Sequence, residues 1–206
     1  MALKRTKKKS GGLKSLRSAG GGSSVETSPE RPVHITKTAP CMGHCPQGTD
    51  IRKLLTTIGL AEKQERDQDE AFKEAFEILT ENNPFPAVCG RVCPHPCEDN
   101  CNRKEKDGAL SINAVERSIG DFGLEQGYAL KKEEGVATQS EKVAVIGAGP
   151  AGLACAFHLA KKGYPVTVFE AFPKAGGTLR YGIPAYRLPR DVLDAEIDRI
   201  LKMGGE

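Results

Sequence analysis

The chain has 206 residues, 38% apolar and 28% charged, a composition that fits a folded globular protein and excludes a disordered one. No run of eighteen or more apolar residues occurs and the amino terminus lacks the apolar core of a secretory signal, so neither a membrane span nor export is indicated and the expected location is cytoplasmic. A net charge of +3 is too small to indicate nucleic-acid binding by the whole chain.

The excess charge sits at the start. Lys4, Arg5, Lys7, Lys8, Lys9, Lys14 and Arg17 precede the first acid, Glu26, and are interleaved with glycines. This predicts a basic flexible arm over residues 1–33, either a solvated tail or a docking segment for an acidic partner, nucleic acid or anionic lipid. Residues 34–130 follow as a helical region. His34 has no partner nearby in sequence. Ala39-Pro40-Cys41-Met42-Gly43-His44-Cys45-Pro46 reads as a loop carrying a cysteine pair. Thr49 or Asp50 then caps a helix with Ile51, Leu54, Leu55 and Ile58 on one face, ended by Gly59. A second helix fits Asp67 to Thr80, with acids at its positive end and Phe72, Ala75, Phe76 and Leu79 as the buried stripe.

The stretch from Asn83 to Cys101 places Cys89, Cys93, Cys97 and Cys101 at every fourth position. That spacing would stack them on one helix face, but Pro94 and Pro96 forbid such a helix, so the segment is predicted to be a loop folding back on itself. Ser111 is expected to cap a third helix with Ile112, Val115, Ile119 and Phe122. Glu116 lies on the edge of that stripe, either as a carboxylate ligand or as a first-turn acid reaching solvent.

Six of the seven cysteines lie between positions 41 and 101, which in a reducing compartment favours ligation over disulfides. The readings are an iron-sulfur cluster and a structural zinc site, the latter in a non-redox interaction module with a basic docking arm. Zinc sites commonly show C-x2-C or C-x4-C pairs. Neighbouring cysteines within each group here are separated by three residues, so the spacing, together with the nucleotide fold described next, favours the cluster. Cys41, Cys45, Cys89, Cys93, Cys97, Cys101 and Glu116 are the candidate ligands. His44 and His95 sit inside the cysteine stretches as secondary candidates.

Residues 131–141 read as a linker, and residues 142–206 begin an α/β unit. A strand from Lys142 to Gly147 is predicted to be buried; the turn Gly147-Ala148-Gly149-Pro150-Ala151-Gly152 opens a helix, Gly163 ends it, and a second parallel strand finishes at Glu170. In this G-x-G-x-x-G arrangement Gly147 permits the tight turn, Gly149 the approach of a pyrophosphate, and Gly152 close packing of helix on sheet. Glu170 is placed to accept hydrogen bonds from an adenosine ribose and would repel a 2′-phosphate, which argues against NADP at this site. The unit alone does not separate FAD from NAD. Cys155 is expected to be a small buried thiol without redox role, and His158 a packed helix residue. A last helix, Asp191 to Met203, carries Val192, Leu193, Ile197, Ile200 and Leu201.

Cys41-Met-Gly-His-Cys45-Pro, the Asn83 to Cys101 stretch, and Gly176-Gly-Thr-Leu-Arg-Tyr-Gly-Ile-Pro-Ala-Tyr-Arg-Leu-Pro189 together resemble the small subunit of glutamate synthase and its relatives. These are FAD and iron-sulfur NAD(P)H oxidoreductases that include the amino-terminal half of dihydropyrimidine dehydrogenase and the large subunit of ferredoxin-dependent transhydrogenase. The resemblance implies a small all-α iron-sulfur domain followed by an incomplete α/β Rossmann-like FAD-binding domain. It implies one 4Fe-4S cluster on Cys45, Cys93, Cys97 and Glu116, with Gly176, Gly177 and Leu179 close to the flavin. Cys41 and Cys101 resemble ligands of a second cluster, whose set is incomplete unless Cys89, a histidine or a partner completes it. The implied function is electron transfer from NAD(P)H through FAD and the cluster to a redox partner protein or larger oxidoreductase complex. A doubly wound sheet is not closed by two strands, so the sequence is expected to be the first part of a longer oxidoreductase and not to oxidise NAD(P)H alone.

Overall fold

The computed structural model describes residues 38–204. The arm predicted over residues 1–33, and His34, lie outside them. The first elements are short helices, α1 (Pro40–His44), α2 (Ile51–Gly59), α3 (Gln68–Thr80), α4 (Pro86–Val92), α5 (Pro96–Asp99) and α6 (Ile112–Glu125). A parallel pair then forms from β1 (Val143–Ile146), α7 (Pro150–Lys161) and β2 (Val166–Phe169), followed by α8 (Thr178–Tyr181) and α9 (Arg190–Leu201).

Local chemistry explains most of these boundaries. Asp50 caps α2 by accepting from Lys53 N at 2.9 Å, and Asp67 caps α3 by accepting from Glu70 N at 3.0 Å, each satisfying an orphan amide of the first turn. The predicted Ser111 cap is not made by its side chain. Glu98, at the end of α5, takes that place and accepts from Asn113 N at 2.8 Å. The cysteine segments also differ from prediction. They are not continuous loops: Cys41 lies in α1, Cys89 in α4 and Cys97 in α5, and each of these helices begins with proline. Proline at the first helical position lacks an amide that would have had no partner there, so it starts a helix as readily as it stops one.

Helices α4 and α6 cross with their backbones nearly touching. A methyl group added to Gly120 would lie 2.4 Å from Ala87 N, and one on Gly90 would lie 2.4 Å from Arg117 Cα. Arg91 locks the crossing with a two-pronged ion pair to Asp121, at 2.6 and 3.0 Å. The core running between α2, α3, α4 and α6 through Leu54, Phe76, Leu79, Val88 and Ile119 continues without a break into Leu153, Phe157, Leu188, Leu193 and Ile197. Residues 131–141 run along the end of α7, where Glu133 N donates to Lys161 O and Gln139 N to Gly163 O.

The two strands pair in register from Val143 with Val166 to Ile146 with Phe169. Strand β1 was expected to be buried, and only Val145 is. Helix α7 covers one face of the pair; on the described residues nothing covers the other, so Ile146 is 82% exposed and Phe169 54%. Cys155 and His158 point outward from α7 and are exposed, against the expectation of a buried thiol and a packed imidazole. No helix among the described residues is long and apolar enough to cross a membrane.

Candidate cluster and nucleotide sites

One cavity collects five of the seven candidate ligands. Cys45 follows α1, Cys89 is carried by α4, Cys93 follows it, Cys97 is in α5 and Glu116 is on α6, and all five line the same space with Gln47 and apolar neighbours such as Leu54, Leu79 and Ile112. Cys41 and Cys101 are not on this wall. Cys41 packs, half-buried, against the small buried cluster of Ile51, Cys97 and Ile112. Cys101 is half-buried, and the backbone near Leu110 and Arg103, with the Arg103 charge, holds its thiol below the ordinary range.

Inside the cavity the electrostatics run the other way. Burial, with Glu116 and Glu196 adding to it, pushes the Cys89 thiol up to about 12. Burial followed by the Glu98 charge takes Cys97 to about 11 and burial also raises Cys93. A cationic inorganic core reverses this balance, because a thiolate at a metal is stabilised by the charge it faces. Cys93 is partly prepared for that form. His95 adopts a left-handed backbone, φ 44°, which turns its amide toward Cys93 Sγ at 3.3 Å. The strain in that conformation is held by Pro94 before it and by Pro96, which starts α5 after it. His95 Nδ1 faces Glu98 Oε2 at 3.4 Å, and His44 Nδ1 is engaged with Pro40 O at 2.8 Å.

Glu116 is raised to about 7 by burial, opposed by a hydrogen bond from Asn83 Nδ2 to its Oε1 at 2.9 Å. Among the described residues, no three His, Cys, Asp or Glu side chains converge tightly enough to hold a single ion. Zinc, with Zn–S bonds of about 2.3 Å, needs that convergence. A four-iron cluster presents a separate iron to each ligand, so donors spread around a cavity suit it. The thiol-rich, largely apolar wall fits such a cluster.

The glycine turn lies on the other side of α4. Gly147 has φ 96°, which only glycine adopts without strain, and a methyl on Gly152 would sit 1.9 Å from Gly147 O, so helix and strand meet where a side chain is forbidden. Pro150 and Ala151 are the first two residues of α7, directly after Gly149. The later glycine pair packs on this turn: Gly176 N donates to Ala148 O at 2.7 Å, and a methyl on Gly177 would be 2.7 Å from Gly149 Cα. Two motifs almost thirty residues apart therefore form one surface. Glu170 accepts from Phe172 N at 2.9 Å and Ala148 N at 2.8 Å, and these bonds hold its carboxyl below the usual range. Leu179 and Pro150 line a groove with Val88, Cys89 and Gln47. Cys89 and Gln47 thus belong to the walls of both the groove and the cysteine cavity.

Sequence reasoning missed Gln47, Asn83, Glu98 and Glu196. Glu196 is fully buried and accepts from Ala87 N at 2.8 Å and Val88 N at 2.9 Å, capping the helix that carries Cys89 from 108 residues away. Its only signal was an acid three positions after Leu193 and one before Ile197, on the apolar side of α9.

The chain matches the family model described as dihydropyrimidine dehydrogenase domain II, 4Fe-4S cluster, over residues 23–128, and that of an NAD(P)-binding Rossmann-like domain over residues 145–193. It is 43% identical over 169 residues to the NADPH-Fe(3+) oxidoreductase subunit beta of Geobacter sulfurreducens, covering 81% of this chain and 24% of that protein. It is 39% identical over 187 residues to the NADP(+)-dependent formate dehydrogenase subunit beta of Moorella thermoacetica, covering 81% of this chain and 25% of that protein. To the NAD-dependent dihydropyrimidine dehydrogenase subunit PreT of Escherichia coli it is 43% identical over 168 residues, covering 81% of this chain and 38% of that protein. The chain therefore spans between 24% and 38% of the length of these relatives.

Proposed function

Because the chain belongs to the dihydropyrimidine dehydrogenase domain II, 4Fe-4S cluster, family, as its resemblance to the glutamate synthase small subunit group implied, we propose that it forms the cluster-binding and first nucleotide-binding part of an iron-sulfur flavoprotein. In that protein electrons pass from NAD(P)H through FAD and one 4Fe-4S cluster to a redox partner or a larger oxidoreductase complex. Residues 34–130 hold the cluster, residues 142–206 the first part of the FAD site, and residues 131–141 connect them. A cytoplasmic location goes with this reading.

The observation that carries it is the shared wall: the cavity of Cys45, Cys93, Cys97 and Glu116 and the groove beside the glycine turn both include Cys89 and Gln47. When bound, the flavin supplies the exchange between paired and single electrons and the cluster supplies a one-electron store. The chain's own residues position these groups. The amino-terminal end of α7, after Gly149, meets phosphate with the first-turn amides that follow Pro150, which itself has none, and with the positive end of the helix dipole. Glu170, held by two backbone amides, offers its remaining lone pairs to a ribose. Leu179 closes the groove with an apolar face, and the His95 amide steadies Cys93. Cys41 and Cys101 remain available to a second cluster whose other ligands come from elsewhere.

Anaerobically purified protein tests this directly. Broad visible absorbance with about four irons and matching acid-labile sulfide per chain is expected, whereas colourless protein with one zinc overturns the proposal in favour of a zinc-binding interaction module. Glu116→Ala is expected to alter or abolish the electron paramagnetic resonance signal, and an unchanged signal rejects Glu116 as a ligand.

A further inference from the structure

We propose that Asn83 is a positioning residue that sorts two competing donors, presenting Glu116 to the cluster and tying Cys89 to its own side-chain oxygen. The proposal rests on the reading that Cys45, Cys93, Cys97 and Glu116 hold the cluster. Asn83 is 0% exposed and lies in the turn between α3 and α4. Its oxygen accepts from Phe85 N at 2.9 Å and faces Cys89 Sγ at 3.6 Å and Gln47 Nε2 at 3.5 Å; its nitrogen donates to Glu116 Oε1 at 2.9 Å.

The orientation of this amide is dictated by its neighbours. Phe85 N has a hydrogen to give, so the Asn83 oxygen must face it, and the amide nitrogen is left facing the carboxylate. The two ends then impose opposite roles. Glu116 Oε1 is occupied, while Oε2 has no protein hydrogen-bond partner among the described residues on a side chain that lines the cavity. Cys89 Sγ is taken up on this wall by the Asn83 oxygen at 3.6 Å and by the Gln47 amide nitrogen, which donates to it at 3.8 Å. A thiol and a carboxylate on the same wall are in this way assigned to different tasks by one buried amide. Partners that orient a metal ligand from behind usually matter to retention by about 10- to 100-fold.

Asn83→Asp separates the two ends. It keeps an oxygen for Phe85 N and replaces the donor to Glu116 with a second oxygen. The expected result is a cluster lost to chelator about 10- to 100-fold more readily, with a shifted paramagnetic signal. The double variant Asn83→Asp with Glu116→Gln restores a donor and an acceptor in reversed order, and cluster retention is expected to recover. An unchanged signal and unchanged retention in Asn83→Asp, or no recovery in the double variant, would each overturn the proposal. Where the single Asn83 change unfolds the chain, retention or loss in the double variant decides the question. An unchanged signal in Glu116→Ala instead rejects the underlying ligand assignment, while an altered signal there with none in Asn83→Asp rejects the sorting alone.

Discussion

Gly177 shows how a single missing side chain holds a site together. Its φ of 49° with ψ of −128° is a conformation side chains avoid, and an added methyl would lie 2.7 Å from Gly149 Cα. Gly177→Ala must therefore part the two glycine motifs or strain the loop, at a cost of about 1–3 kcal/mol. On the proposed reading of this surface as the first part of an FAD site, FAD affinity is expected to drop by more than tenfold while the iron content of the protein is kept. Fluorescence titration with FAD checks this, and wild-type affinity in the variant would show that the contact is dispensable. Both glycine motifs were legible in the sequence because their meaning is backbone geometry at fixed local spacing. Asn83 was not, since its partners Glu116 and Gln47 stand 33 and 36 residues away and no local pattern marks a buried amide that serves them.

At the scale of elements, the helices with apolar stripes were readable and the cysteine-bearing ones were not. Helices α2, α3 and α6 fall close to where periodicity and capping residues put them. Helices α1, α4 and α5 have seven residues or fewer, too short for periodicity to register, and their prolines read as breakers when they are starters. Helix α4 also lacks a side-chain cap of its own, because Phe85 stands in that position and Pro86 follows. Glu196 supplies the cap, and burial raises its carboxyl from the ordinary 4.5 to about 7 despite the amides of Ala87 and Val88 and the nearby Arg199 and Arg91. The folded chain thus holds a proton that the unfolded chain releases between those two values. The stabilisation is complete below about pH 4.5 and is lost as pH rises through about 7, with a slope of up to about 1.4 kcal/mol per pH unit. Glu196→Gln removes this titration and is expected to flatten the decline between pH 5 and 8 in anaerobic denaturant unfolding. Parallel curves for variant and wild type would exclude Glu196 as its source.

For the molecule as a whole, the sequence divides into a cysteine-rich helical part and a nucleotide-binding part, yet the apolar interior does not divide at that point. A chain read locally shows which face of each helix is apolar, but not which distant face meets it. Here α9 lies against α4, and the core reaches from Leu54 and Phe76 to Leu193 and Ile197, with the Arg199 guanidinium over the Phe76 ring at 5.0 Å. The helix that carries Cys89 is therefore supported on one side by α6 and on the other by a helix of the nucleotide part. Leu193 is 0% exposed, and truncating such a side chain costs about 2–5 kcal/mol. If the interior is one cooperative unit, Leu193→Ala must weaken the cluster cavity even though Leu193 does not line it. Thermal scans should then show helix loss by circular dichroism and bleaching of the cluster's visible absorbance moving down together by several degrees. A variant whose helix signal falls early while the cluster bleaches at the wild-type temperature would mean that the cysteine cavity stands on α4 and α6 alone, and that the contact with α9 joins two independently stable parts.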